Sequence, residues 1–487
     1  MTKTIAIIGG GIAGLSTGIY ARMNGFETDI YEMHSKSGGL CTAWKRNGYT
    51  FDGCIHWLSG STPSSQYYKL WEDIGAIQDK KLHNYDYYTQ AVDAEGNRFI
   101  AYADLDKLRE QMVSIAPEDT KQIDRVIRDI RKMIKYELPL DFTLSNWYPI
   151  LRALLMFYKY RNPVSDLAAK FKNPVLSNLF LTAFDWGPMC AAFPLWTMGL
   201  MNQGNAGYPI GGSLPLIASV ENKYRDLGGN LHFHSRVSKI ITENDTAIGI
   251  QLDDGSVKKA DIIISAADGH TTIFDWLGGK YIDKRIKKAY DSYVLFPPLV
   301  YISMGVNGDY SKAPHSLMFP LKTPFQVGPD EVTSLFLKNY SFDPTLAPPG
   351  KCVFSVMLNT NFEYWEGIKG NRELYLSEKN RIGGEVIKAV SEIYPGFAEK
   401  VEEIDVATPM TFVRYTGNYR GSYEGFFLDK QALKSMMPQE LPGLKNFYMA
   451  GQWVSPGGGL PSGLITGRNA IRKICKNEKR KFITSQV

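Results

Sequence analysis

Short β-branched runs that end in glycine alternate along this chain with longer amphipathic stretches. Thr4 to Ile8 is such a run, closed by Gly9, Gly10 and Gly11, and it has the pattern of a buried parallel strand. Ala13 to Asn24 predicts a helix, with Gly25 where a left-handed cap is favoured. Glu27 to Tyr31 predicts a second strand. The first 32 residues therefore spell β-α-β, the opening of a doubly wound parallel sheet.

From about residue 60 to 206 the pattern is mostly helical. Ile123, Val126, Ile127, Ile130, Met133 and Ile134 form one apolar stripe behind Pro117, and the basic residues on the opposite side read as a solvated face. Pro209 to Gly212 opens a second passage: helix from Ser213 to Leu227, strand from Leu231 to Phe233, then Val237 to Leu252 as a hairpin closing at Asp253, Asp254 and Gly255. Asp261 to Ser265 reads as another buried strand. Leu299 to Val306 and Cys352 to Leu358 read as strands, Arg381 to Ile393 as a helix. The end returns to a strand, Asn446 to Ala450, a glycine-rich loop and a helix from Ser462 to Cys475.

At 487 residues the chain has room for two or three domains and a large core. Its 44% hydrophobic and 22% charged residues are globular values, and a net charge of +5 does not make nucleic acid the default partner. Cys41, Cys54, Cys190, Cys352 and Cys475 form no C-x-x-C pair, which argues against a metal site or disulfide framework and suits a cytoplasmic setting. The N-terminal apolar run is too short for a signal peptide, and the apolar stretch from Trp147 to Tyr160 is broken by Pro149, Arg152 and Lys159.

The sharpest motif is Gly9-x-Gly11-x-x-Gly14, set between strand and helix. Gly9 permits the tight turn, Gly11 lets the backbone approach a pyrophosphate, and Gly14 lets helix and strand pack closely; Ile12 and Ala13 open the helix whose N–H groups face the phosphates. Glu32, ending the second strand next to Met33, is placed to accept ribose hydroxyls and to repel a 2′-phosphate. The fingerprint alone fits FAD or NAD.

Five stretches elsewhere in the chain decide between them. SGG at 37–39 resembles the double-glycine turn of amine-oxidase-like flavoproteins, and FDGCIHW at 51–57 resembles a stretch of the retinol saturases and their bacterial relatives. PIGG at 209–212 and DIIISAAD at 261–268 match that family's middle segments. FYMAGQWVSPGGGLPSG at 447–463 looks like the closing signature of carotenoid desaturases and isomerases. The chain thus resembles the phytoene desaturase, carotenoid isomerase and retinol saturase family of FAD-dependent oxidoreductases. It departs at Cys54, where the family has glycine and this chain carries Gly53 one place earlier.

The resemblance implies an α/β fold: a doubly wound, Rossmann-like FAD-binding domain (1–75, 207–275 and 440–487) with an inserted α+β substrate domain (76–206, mostly helical, and 276–439, mixed). It places Gly39, Leu40, Ile55, His56, Val237, Ala266, Gly451, Gly459, Leu460 and Pro461 around FAD, beside the fingerprint residues, and implies hydride transfer between flavin and a carbon–carbon double bond of a long apolar substrate. His56, Tyr423 and Glu424 are its candidate acid or orienting groups, with plain packing as the other reading of each. The sequence holds no second fingerprint for NAD(P)H, so electrons pass to or from oxygen, a quinone, a protein or the substrate.

Aromatic residues, including Trp147, Tyr148, Phe157, Tyr158, Tyr160, Phe180, Phe184, Trp186, Phe193 and Trp196, fit both ordinary core and the wall of an elongated tunnel. Leu151 to Tyr160, with Arg152, Lys159 and Arg161, is compatible with a packed helix and with one lying in a membrane surface. An amine or amino-acid oxidase is the alternative enzyme. A prenyl-lipid carrier of the dissociation-inhibitor type is the non-catalytic one.

Overall fold

The computed structural model describes residues 2–135, 147–434 and 437–484. Five parallel strands form its first sheet, in the order Asn230–His232, Glu27–Tyr31, Thr4–Ile8, Ile262–Ser265 and Phe447–Met449. Both faces are buried, which is why these strands read as unbroken apolar runs: Ile5, Ile7, Ile262 and Ile264 face one core, Ala6, Ile8 and Ile263 another. The helix Ile12–Met23 covers the first face and is buried from Ile12 to Ala21, because the helices Ser213–Asp226 and Gly459–Asn477 flank it. Glycine permits both crossings. A Cβ on Gly18 would lie 2.5 Å from the Tyr224 ring, and one on Gly463 would lie 2.6 Å from Ile12 Cγ2.

The second face is covered by an antiparallel sheet of Val237–Glu243, Thr246–Leu252 and Val257–Lys259. Its first hairpin turns at Asn244 and Asp245, both left-handed (φ 47° and 56°), and not at Asp253 to Gly255 as the sequence suggested. The Asp253 to Gly255 turn instead leads into the third strand.

The other large sheet has seven strands, in the order Val401–Ala407, Leu299–Asn307, Lys351–Asn359, Asp330–Asn339, Ser316–Val327, Tyr87–Val92 and Arg98–Tyr102. The last two correct the helical reading of 60–206. They form a hairpin whose turn is tied by the Asp93 carboxylate, which accepts N–H groups of Glu95 and Asn97, and Ala91, Phe99 and Ala101 bury its inner side. The helix Arg372–Ile393 starts nine residues before its predicted first turn, capped by Asn371, and packs Ile382, Val386 and Val390 against Val300, Ile302, Leu335 and Leu337. Strand alternation then sends Tyr301, Ser303, Phe336, Lys338 and Ser355 to the opposite face of the sheet.

Helices Leu105–Ile115, Thr120–Lys135, Trp147–Lys159, Pro174–Phe184 and Ala192–Asn202 make up most of the remaining middle segment. Among the described residues no helix is long and apolar enough to cross a membrane, and no group of three or more His, Cys, Asp or Glu could hold a metal ion.

Candidate functional site

The first strand ends at Ile8, and the chain turns at Gly9 (φ 96°), whose N–H donates to the Tyr31 carbonyl at 2.8 Å. Gly14 sets the distance between strand and helix: a Cβ there would fall inside the carbonyl oxygen of Gly9. Gly11 is different. A Cβ on it meets only ordinary contacts, 3.6 Å from the Gly38 carbonyl oxygen and 3.8 Å from Gly39 Cα. Gly9 lies against Ala266, where a Cβ would sit 3.2 Å from the carbonyl oxygen. Glu32 is buried at the end of its strand. Its two oxygens accept the N–H of Gly10 at 2.6 Å and of His34 at 2.8 Å, which leaves lone pairs for further donors. Met33, Gly39 and Leu40 are half-buried along the same edge.

The C-terminal loop closes on this turn from the other side. Gly451 (φ 105°) comes within ordinary contact of the Ala13 side chain, and its N–H donates to Thr466 Oγ1 at 2.7 Å. Gly457, Gly458 and Gly459 all adopt left-handed φ, and the helix Gly459–Asn477 begins there, three residues before the Ser462 start that the sequence suggested and with Leu460 and Pro461 half-buried in its first turn. Two helix N-termini with almost no side chains between them therefore face the region edged by Glu32. Such an arrangement could hold a pyrophosphate, with a ribose beside the acid. Val237 is 4% exposed in the core that contains Ala6, Ile8 and Tyr31, two residues after Ser235, whose N–H donates to the Glu32 carbonyl at 2.8 Å.

The 51–57 segment is built around Asp52. Its carboxylate is buried and accepts Cys54 N–H (2.9 Å), Ile55 N–H (3.1 Å), Ser213 N–H (2.6 Å) and Ser213 Oγ (2.7 Å), pinning the loop to the start of the helix Ser213–Asp226. Burial pushes its pKa up, opposed by those four hydrogen bonds. The Tyr301 hydroxyl donates to the Asp52 carbonyl at 2.7 Å. Gly53 is required because a Cβ would lie 2.8 Å from the Trp44 ring. Cys54 tolerates its side chain by turning the thiol to Cys41; that contact, followed by burial, raises its pKa.

His56 is held by aromatic neighbours. Its carbonyl accepts the Tyr85 hydroxyl at 3.0 Å, and its Nδ1 is 3.4 Å from the Tyr340 hydroxyl. Burial, then the Lys338 ammonium, lowers its pKa to about 3, so the imidazole is neutral at physiological pH. Glu424 is the opposite case. Burial pushes its pKa up to about 8, so this carboxyl keeps its proton at neutral pH. It abuts the glycine start of the C-terminal helix, where a Cβ on Gly458 would lie 2.6 Å from Glu424 Cβ. Tyr423 beside it is pushed well above its ordinary value by burial and then by the Glu424 charge.

An aromatic row joins the two halves. Trp57 meets His56 (6.3 Å between centroids), Tyr88 (5.8 Å) and Trp186 (6.2 Å). Trp186 meets Phe193, which meets Trp196, and the cluster of Met189, Phe296 and Phe427 brings Trp186 and Phe193 to Tyr423. The sequence candidates thus separate into three groups. Trp186, Phe193 and Trp196 belong to this row; Phe180 and Phe184 are core; Tyr160 is buried with its hydroxyl on Asp129. Trp147, Tyr148 and Tyr158 face solvent, and Phe157 is half-buried. Sequence reasoning missed Lys338, Tyr301 and Tyr340, whose positions depend on which face of a strand is covered.

A family model described as flavin-containing amine oxidoreductase matches residues 12–475. Curated relatives include the 4,4'-diaponeurosporene oxygenase of Staphylococcus aureus, 22% identical over 99% of each chain. Prolycopene isomerase 2 from an Oncidium hybrid cultivar is 24% identical, covering 95% of this chain and 82% of its own. Among solved structures, a redesigned putrescine oxidase matches with a TM-score of 0.64 at 12% identity, covering 98% of this chain and 99% of its own.

Proposed function

This chain belongs to the flavin-containing amine oxidoreductases and is an FAD-dependent oxidoreductase; within that family, we propose, it acts on carbon–carbon double bonds of a long apolar substrate such as a carotenoid, retinoid or other lipid, by saturation, desaturation or isomerisation. The observation that carries this reading is the aromatic row from His56 to Tyr423, which ends at a carboxyl that is neutral at pH 7. Relatives named 4,4'-diaponeurosporene oxygenase and prolycopene isomerase point the same way.

In this reading Gly9, Gly11, Ile12, Ala13 and Gly14 cradle the pyrophosphate, Glu32 takes the ribose, and Gly451, Gly459, Leu460 and Pro461 close the opposite side. Ile55, His56 and the 37–40 turn lie along the path to the ring. When bound, FAD supplies a two-electron redox couple. The protein's own part is to hold a polyene in register along the aromatic row, exclude water, and keep a proton on Glu424 for delivery to or recovery from substrate carbon. His56, neutral and hydrogen-bonded through its carbonyl, orients rather than donates. A carboxyl that stays protonated offers no counter-charge to an ammonium group, which disfavours an amine as substrate. Mixing the oxidised holoprotein with a panel of amines and amino acids tests that choice. No bleaching of the flavin and no peroxide are expected; bleaching by any of them would move the protein to the amine oxidases.

The substrate class also explains the helix Trp147–Lys159. Ala153 is its buried residue, whereas Trp147 (54%), Leu154 (56%) and Tyr158 (62%) stand exposed with Leu151 and Leu155. Arg152 and Arg161 lie over the Tyr148 and Tyr158 rings, 5.1 and 4.0 Å from their centres. Apolar and aromatic side chains edged by guanidinium groups fit a bilayer with anionic headgroups, from which a lipid-soluble substrate would be collected. The double variant Leu154→Asp/Leu155→Asp is expected to reduce cosedimentation with phosphatidylglycerol-containing vesicles by about tenfold or more without changing the Tm. Unchanged cosedimentation would show that this helix is not the membrane contact.

A further inference from the structure

We infer that Lys338 anchors a carboxylate at one end of the substrate, so that the natural ligand is a long unsaturated acid and not a pure hydrocarbon. The inference rests on the apolar-substrate reading above and narrows it. Lys338 is 4% exposed on the strand Asp330–Asn339, and alternation sends Leu335 and Leu337 into the core beneath the helix Arg372–Ile393 while Lys338 points to the side of His56. Its Nζ sits 5.4 Å from the centre of the Tyr85 ring and 5.9 Å from that of Phe336. No hydrogen-bond acceptor or carboxylate pairs with it among the described residues, which is rare for a buried ammonium.

The surroundings offer no internal remedy. The nearest titratable rings, His56 and His315, are themselves held neutral by burial and then by the Lys338 charge, and His315 stacks on Tyr85 at 4.3 Å. The hydroxyls of Tyr85 and Tyr340 are engaged with His56. Burial alone lowers the lysine's own pKa to about 7. A hydrocarbon tail would leave this group unpaired. A carboxylate brings both the missing charge and the missing acceptors, and the ring faces around Lys338 suit the conjugated or apolar chain attached to it.

The test uses flavin-loaded protein and three probes of one shape: parinaric acid (a conjugated tetraene fatty acid), its methyl ester and the corresponding hydrocarbon, each titrated by polyene fluorescence. The acid is expected to bind about tenfold or more tighter than the ester, the factor a charged hydrogen bond contributes. That preference should collapse to about one in Lys338→Met and survive in Lys338→Arg, with flavin content unchanged in both. Equal binding of all three probes, or an acid preference that survives in Lys338→Met, overturns the anchor and leaves the apolar-substrate reading standing. Failure of all three to bind overturns both.

Discussion

Gly11→Val is expected to fold like the parent protein and to purify without flavin. The position has ordinary backbone angles (φ −73°, ψ −177°), which a β-branched residue adopts readily, and an added Cβ meets nothing closer than 3.6 Å. The isopropyl group would, however, stand in the space between the first helix N-terminus and the Gly38–Gly39 turn, where the pyrophosphate is proposed to lie. We expect flavin content below about a tenth of the parent's with an unchanged circular dichroism spectrum, since an obstructed backbone approach forfeits several phosphate hydrogen bonds. Gly14→Ala is the contrasting control. Its Cβ would enter the Gly9 carbonyl, so strand and helix must part and stability, not only flavin content, should fall by about 3 kcal/mol or more. A fully flavinylated Gly11→Val protein would move the cofactor away from this loop.

Glu424→Gln is expected to lower turnover by about a hundredfold or more, the usual worth of a positioned acid, while flavin content and substrate binding stay near parent values. The two side chains have the same shape, and only the proton is lost. The pH profile supplies the second readout. A carboxyl raised to about 8 is protonated below that pH, so the parent's rate should hold through neutrality and decline as pH passes about 8. The variant should lose that alkaline limb. Turnover within two- or threefold of the parent's would remove Glu424 from the chemistry. His56→Gln serves as comparison: with a ring pKa of about 3, it has no ionisation in the working range to lose.

The parallel sheet was legible because its strands are buried on both faces and so announce themselves as short apolar runs. The glycines that stop them have jobs that backbone geometry requires. Gly14 is read correctly from sequence as a close-packing position because no side chain fits there; the same role of Gly463 against Ile12 emerges only from the packing of the two helices. The edge hairpin Tyr87–Val92 and Arg98–Tyr102 escaped because its strands mix Tyr, Thr, Gln and Arg. The signal that could have found it is the turn around Asp93, Gly96 and Asn97. Asn244 and Asp245 lost to Asp253 and Gly255 in the same way, one turn signal outranking another in a segment that holds both. Lys338 could not be read at all. In SLFLKN at 334–339 the alternation assigns it to the side away from the core, which ordinarily means water. Only the packing of the Tyr85 and His56 segments over that face turns a solvent position into a buried one. Tyr423 and Glu424, by contrast, came from family resemblance; nothing in their spacing singles them out.

On this reading the flavoprotein exchanges electrons or protons with an unsaturated apolar chain. The most direct test of that exchange is anaerobic. The holoprotein, in its oxidised and photoreduced forms, is mixed with retinoids, carotenoids and unsaturated fatty acids while flavin and polyene absorbance are followed together. At least one class is expected to change its polyene spectrum within a single turnover, either with matching flavin oxidation or reduction or, for isomerisation, with the flavin returning to its starting state. Flavin and polyene spectra that both stay fixed across the panel, in either oxidation state, would contradict the reading.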